Sequence, residues 1–353
     1  MTDTTSPTAL VCGFADDDSG GVFAYRQDPD DGSLERLRTT PLAAVSFLAV
    51  GPDRERAYTV TRVEGGVVTS FDLDATEGAL SRLNRRSSEG AGPAYVSVDA
   101  TGSYAFVANY AGGTVAALPI DDDGHLGPAS DVVRHEGSGP NADRQEEPHP
   151  HSIDPGPENR YVYAPDLGTD RVVTYRIDFE EGRLRGDGVP DVEVQPGAGP
   201  RHLDFHPNGR YCYLINELDS TVVAFEQDPE TGALEAFQTV GTLPDEFDGL
   251  NQCADVHVHP SGEWLYGSNR GHDSIAIYGI DAETGRLDPV GHESTRGHWP
   301  RHFAIDPAGR YLYAENRRSD SVVTFAIDPD TGKLTPTGDR LELPEPLCLL
   351  VVD

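Results

Sequence analysis

Lysine is almost absent from this chain. Lys333 is the single one among 27 basic residues, set against 60 acidic residues, for a formal net charge of −33. A surface so negative repels nucleic acid and anionic membranes, so neither is expected as a partner. Cysteine is scarce too. Cys12, Cys212, Cys253 and Cys348 are far apart and form no CxxC pair, which argues against a zinc ribbon or a disulfide framework and leaves them as small apolar fillers. No apolar run approaches the roughly 18 residues of a membrane-spanning helix. The opening MTDTTSPTAL lacks a basic stretch followed by an apolar one, so it does not read as a secretory signal, and a cytoplasmic location is expected. There is no GxSxG elbow, no phosphate-cradling glycine loop before a helix and no HExxH.

What is present is repetition. The acid is spread through turns rather than gathered in a tail, and with so little lysine this pattern resembles halophilic proteins. DPETGAL at Asp228 is written again as DPDDGSL at Asp28, DATEGAL at Asp74, DFEEGRL at Asp178, DAETGRL at Asp281 and DPDTGKL at Asp328, with a shortened DDDGHL at Asp121. Each copy follows a run that alternates apolar and polar residues, such as STVVAFEQ from Ser220, and so reads as a hairpin tip between strands. A second phrase, HPNGRYCYLIN at His206 and DPAGRYLYAEN at Asp306 among others, adds a tight turn and another strand, giving four strands per unit. The aligned aromatics Tyr58, Phe106, Tyr163, Tyr213, Tyr266 and Tyr313 recur 47 to 57 residues apart, the period of a propeller blade. Six units are complete. The seventh is expected to form from the N-terminal strands around Thr8–Phe14 and the orphan C-terminal strand from Pro346 to Asp353. The fold class is therefore all-β, a single seven-bladed β-propeller over residues 1–353 with four-stranded antiparallel blades. The polar insertion Gly137–Pro148 is expected to lie over one face.

Residues that break the repeat point to function. Six positions before each Pro-x-Gly turn, where the innermost strand begins, stand Ser46, Ala94, His151, Arg201, Ala254 and Arg301. Four positions after each aligned aromatic, where the next strand ends, stand Arg62, Tyr110, Leu167, Glu217, Arg270 and Arg317. Antiparallel neighbours bring these two columns to the same face of the ring. An acidic protein that gathers arginines there is building an anion site, since guanidinium forks suit carboxylate or phosphate. His151 and Glu217 beside them supply proton-transfer groups. His202, His257 and His302 read as hydrogen-bonded structural residues. HPH and HVH offer nitrogens but no metal-site spacing, and no metal or cofactor is expected.

The segments ANYAGGTV from Ala108, EPHPHSID from Glu147, GPRHLDFHPNGRYCYLINEL from Gly199, SNRGHDSIAIY from Ser268 and WPRHFAIDPAGRYLYAEN from Trp299 resemble the seven-bladed propeller lactonase family, which includes propeller-type 6-phosphogluconolactonases and the carboxy-muconate cyclase. The resemblance covers nearly the whole chain. It implies a site of one His, two Arg and one Glu, matching His151, Arg201, Glu217 and Arg270 as catalytic residues, the four that the columns single out. Tyr110, His149, Asn216, Asn269, Arg301 and Arg317 are then expected to contact substrate, a small anionic sugar lactone. A cycloisomerase using the same residues, or a non-catalytic propeller binding an anionic ligand or a protein, are the alternatives. A monomer or weak homo-oligomer is expected. Whether His151 or Glu217 is the base stays open at this level.

Overall fold

The repeated acidic phrase does what its residues dictate. In the computed structural model, which describes residues 6–353, each leading aspartate accepts a hydrogen bond from a backbone amide two or three residues on, as Asp28 does from Asp30 and Asp228 from Glu230, both at 2.8 Å. The glycines that follow, Gly32, Gly78, Gly124, Gly182, Gly232, Gly285 and Gly332, all have φ between 61° and 82°, a conformation that glycine alone adopts without cost. These turns also lock blade to blade. The hydroxyls of Tyr163, Tyr213, Tyr266 and Tyr313 donate to the carbonyls of Gly232, Gly285, Gly332 and Gly32 at 2.8–3.1 Å, each tying a second strand to the hairpin of a neighbouring blade.

Seven antiparallel sheets result. A representative blade runs Pro200–Phe205, Tyr211–Asn216, Thr221–Gln227 and Leu234–Gly241 from the axis outward. Its inner three strands are buried while the fourth alternates buried and exposed residues. The closing blade joins the two ends of the chain as expected. Pro346–Val352 is innermost and pairs with Thr8–Gly13, which pairs in turn with Gly21–Gln27 and Leu34–Pro41. Closure removes the free edges that isolated four-stranded sheets would present. The core is a set of apolar layers between adjacent blades, including Tyr213, Ile215, Val256 and Leu265 in one layer and Phe106, Val115, Val162 and Tyr175 in another. The four cysteines are free and buried, as fillers should be. Among the described residues no helix is long and apolar enough to cross a membrane.

One blade departs from the pattern. Its innermost strand is reduced to Asp154–Pro155, because Pro148, Pro150 and Pro155 remove ladder donors and leave only an isolated bridge of Pro150 to Asp166 ahead of it. His151 therefore lies in an extended segment ahead of the strand rather than at a strand's first residue. The outer edge of the same blade is split into Arg183–Arg185 and Val192–Glu193, both paired with Arg171–Asp178.

Candidate active site

The inner strands do not start cleanly. Arg201 and Arg301 each sit at a register shift, as do Ser46 and Ala94, one extra residue opposite the second strand, while Ala254 and Asp255 occupy a wider shift. A bulge re-aims the residue it carries. Apart from His151, the first column of repeat-breaking positions is thus a series of bulges, and it delivers the Arg201 and Arg301 side chains to the axial mouth. The second column supplies Arg62, Tyr110, Glu217, Arg270 and Arg317 from the ends of the neighbouring strands.

A cavity of about 450 Å³ opens there, within the range of a small-molecule site. It is walled by six arginines, Arg62, Arg144, Arg270, Arg301, Arg317 and Arg318, together with Tyr110, His151, Glu217, Gln252 and Trp299. Among the described residues, Glu217 is the one carboxylate that lines it. It is almost wholly buried and holds three guanidinium groups: Arg201 Nε at 3.1 Å, Arg270 Nη2 at 2.7 Å and Arg144 Nη2 at 2.5 Å. Burial alone would raise the Glu217 pKa, but Arg270, Arg201 and Arg144 together outweigh it and hold the carboxyl far below its usual range. Glu217 is therefore ionised and a very weak base. Backbone carbonyls fix the other ends of these forks, with Arg201 donating to Ala254 and Arg270 to Gln252 and Cys253.

His151 stands in the opposite electrostatic position. Burial, then Arg201, His202, Arg301 and Arg270, push its pKa well below the ordinary imidazole value, so it is neutral. Its tautomer follows from a chain of contacts. His202 Nδ1 lies 2.7 Å from Asp255 Oδ1 and donates to it, which leaves His202 Nε2 as an acceptor for Arg201 Nη1 at 3.2 Å and for His151 Nδ1 at 3.2 Å. A proton on His151 Nδ1 avoids two facing lone pairs at this 3.2 Å contact, and that tautomer leaves Nε2 with a free lone pair. His202 is itself held neutral, its pKa lowered to about 3 by burial and Arg201.

Of the six cavity arginines, Arg144, Arg270 and Arg317 are ion-paired, whereas Arg62, Arg301 and Arg318 have no carboxylate partner among the described residues. Arg62 Nε is enclosed without a partner. Arg301 is pressed by burial and by Arg201, Arg62, Arg270 and Arg317, with its pKa driven well down. Arg317 is already paired through Nε and Nη2 with Glu345, at 2.9 and 2.7 Å. Trp299 lies between Arg270, 5.5 Å from its ring centre, and Arg318, 3.5 Å away. It does so at φ +67°, a strained value for so large a side chain.

Of the expected substrate contacts, Tyr110, Arg301 and Arg317 line the cavity. His149 sits behind it, stacked on Tyr110 at 4.6 Å with Nδ1 2.9 Å from the Tyr110 carbonyl, and so supports that ring. Asn216 and Asn269 lie elsewhere. Each precedes a cavity residue on a strand, and successive side chains point to opposite faces. Asn216 donates to Thr221 and borders a separate lateral pocket, while Asn269 is engaged with Thr242, Asn251 and Cys253. Arg144 was missed by sequence alignment because it comes from the insertion Gly137–Pro148. That loop, expected over one face, brings Arg144 to the mouth and is pinned by Gln145 to Leu167 and Asp170 at 2.8 and 2.7 Å. The available signal was a lone basic residue inside NADRQEE. Below the mouth the axial channel is filled, with Phe47 against Tyr95 at 4.2 Å and against the rings of His202 and His302.

The model of the lactonase, seven-bladed β-propeller family matches residues 8–351. The chain belongs to that family. It is 35% identical over 290 residues to the 6-phosphogluconolactonase of Bacillus subtilis, covering 82% of each chain, and 32% identical over 305 residues to the 6-phosphogluconolactonase of Formosa agariphila, covering 84% of this chain and 86% of that one. Among solved structures, the periplasmic gluconolactonase of Pseudomonas aeruginosa superposes with a TM-score of 0.93 at 33% identity, over 98% of this chain and 99% of that one.

Proposed function

We propose that this propeller lactonase hydrolyses a sugar lactone bearing an anionic group, of the 6-phosphogluconolactone type, at the arginine-walled mouth. The observation that carries this reading is the charge inversion: in a chain of net charge −33, one cavity gathers six arginines around a single carboxylate among the described residues, and three of them, Arg62, Arg301 and Arg318, lack a counter-ion there. A phosphate answers that deficit, and the names of the relatives point to the same substrate class.

The chemistry uses groups already in place. Water attacks the lactone carbonyl carbon while His151 Nε2 takes its proton. Charge developing on the carbonyl oxygen is met by cavity guanidinium groups that need no reorganisation. The ring C–O bond breaks, and the leaving alkoxide recovers the proton from His151. One water is consumed and one carboxylic acid is formed. Glu217 fixes the arginine forks and does not move the proton, since three arginines make it too weak a base.

Arg62 and Arg301 are assigned to the phosphate. Replacing Arg301 or Arg62 by Gln is expected to lower kcat/KM for 6-phosphogluconolactone by about 10- to 100-fold, the worth of a charge-assisted hydrogen bond, while gluconolactone turnover changes little. Equal losses on both lactones would remove the phosphate assignment.

A further inference from the structure

Beside the filled layer of Phe47 and Tyr95, where His302 lies edge-on to Phe47 at 5.5 Å, the channel changes chemistry. Asp255 and His257 lie two residues apart on the inner strand Gln252–Val258, and His302 comes from the inner strand of the next blade. A single oxygen, Asp255 Oδ2, has His257 Nε2 at 3.0 Å, His302 Nε2 at 3.3 Å and the Phe303 amide at 3.3 Å. Three groups thus converge on an atom with two lone pairs. Each imidazole also has a second carboxylate at its other nitrogen. Asp204 Oδ2 is 3.6 Å from His257 Nδ1, and Glu315 Oε1 is 3.0 Å from His302 Nδ1, nearer than the Leu349 amide at 3.4 Å. When His302 Nδ1 donates to Glu315 and His257 Nδ1 carries its proton toward Asp204 at ion-pair distance, two Nε2 lone pairs and a carboxylate oxygen face one another, an arrangement a bound cation joins.

We propose that Asp255 Oδ2, His257 Nε2 and His302 Nε2 bind one divalent transition-metal ion of the Zn²⁺ class, separate from the arginine mouth. The three donor atoms lie within 4.8 Å of one another, and two imidazoles with one carboxylate is a donor set that first-row metals take. All three have the outer partners such ligands require: Asp204 behind His257, Glu315 behind His302, and His202 donating to Asp255 Oδ1 at 2.7 Å. Two further carboxyl groups border the cluster, and Asp154 Oδ2 and Glu315 Oε2 are enclosed without a partner among the described residues. Arg201, the nearest cation of the mouth, is paired with Glu217. Entry is open on the side of His257 and Asp204, whose side chains are each one-third exposed. The ligands come from two blades, so no local sequence spacing announces them.

The test is titration of chelator-stripped protein with Co²⁺ in metal-free KCl buffer, following visible d–d absorption and bound metal by equilibrium dialysis. One Co²⁺ per chain is expected, displaced by Zn²⁺. His257→Ala should abolish saturable binding, and Asp204→Asn and Glu315→Gln should each weaken it by about 10- to 100-fold. His257 is partly exposed, so its variant is checked for an unchanged melting profile; if it fails to fold, Asp204→Asn alone decides. The double variant Glu146→Gln, Glu147→Gln, which disarms the exposed cluster around His149, should bind as the parent does. Absence of stoichiometric binding, undiminished binding in His257→Ala or in a folded Asp204→Asn, or loss of binding in the Glu146/Glu147 variant would each overturn the proposal.

Discussion

The outer rim and the axial mouth of this propeller are built from the same strands by opposite rules. On the rim, one acidic hairpin is copied seven times with the same capping aspartate and the same positive-φ glycine. At the mouth, equivalent bulged positions carry Ser46, Ala94, Arg201, Ala254 and Arg301, and at these positions no two neighbouring blades carry the same residue. Repetition marks what every blade needs in order to dock. Divergence at a bulged position marks what only one mouth needs. The rim is acidic and solvated, whereas the mouth is cationic and enclosed, and the two should respond to perturbation in different ways.

The sharpest break is at ring closure. Removing Pro346 to Asp353 strips the innermost strand from the closing blade and exposes the edge of Thr8–Gly13, so the whole ring is expected to lose cooperative melting. An unchanged melting curve would deny the ring its dependence on that strand.

Next comes the buried ion cluster. Glu217→Gln removes the countercharge from Arg201 and Arg270 and should cost on the order of 3–5 kcal/mol at neutral pH. The folded pKa of Glu217 is depressed, so its contribution is complete above the unfolded value near 4.5 and is lost as pH falls toward the folded one. The stability gap between parent and variant should therefore shrink below about pH 4.5. Denaturant melts across that range check the sign, and a gap that widens in acid would contradict the assignment.

A smaller effect separates the rim. At Gly232, φ is +73° and an added Cβ would lie 2.6 Å from the Tyr161 ring, so Gly232→Ala should cost roughly 1–3 kcal/mol of stability. Lactonase activity per folded molecule should stay unchanged. Activity loss out of proportion to unfolding would blur the division between rim and mouth.

Salt sharpens the same contrast. Raising KCl shortens the Debye length and screens the carboxylates of the rim, so the melting temperature should climb. The same ions compete at the arginine mouth, so KM for a phosphorylated lactone should rise rather than fall. Melting temperatures and KM measured over one KCl series would show the two trends, and parallel movement of both would not fit.

The blades and their closure were legible in the sequence because turn chemistry and strand alternation repeat with a fixed period. His151, Arg201, Glu217 and Arg270 were legible because alignment of repeats exposes columns, and columns map onto one face of a closed ring. The rest depended on information that no column carries. Arg144 arrives on an insertion that has no register with the blades. Asn216 and Asn269 sit one residue from the mouth, and one residue on a strand is the difference between two faces. The link from Asp255 through His202 to His151 joins separate blades, and in the proposed mechanism it sets the tautomer that makes His151 rather than Glu217 the base.

That selection is tested most directly by the turnover of His151→Asn on 6-phosphogluconolactone, above the spontaneous rate and at matched folded concentration. Loss of a positioned general base is expected to lower kcat by about 10²- to 10⁴-fold with melting temperature and KM little changed. Turnover within a few-fold of the parent in a fully folded His151→Asn protein would contradict the account.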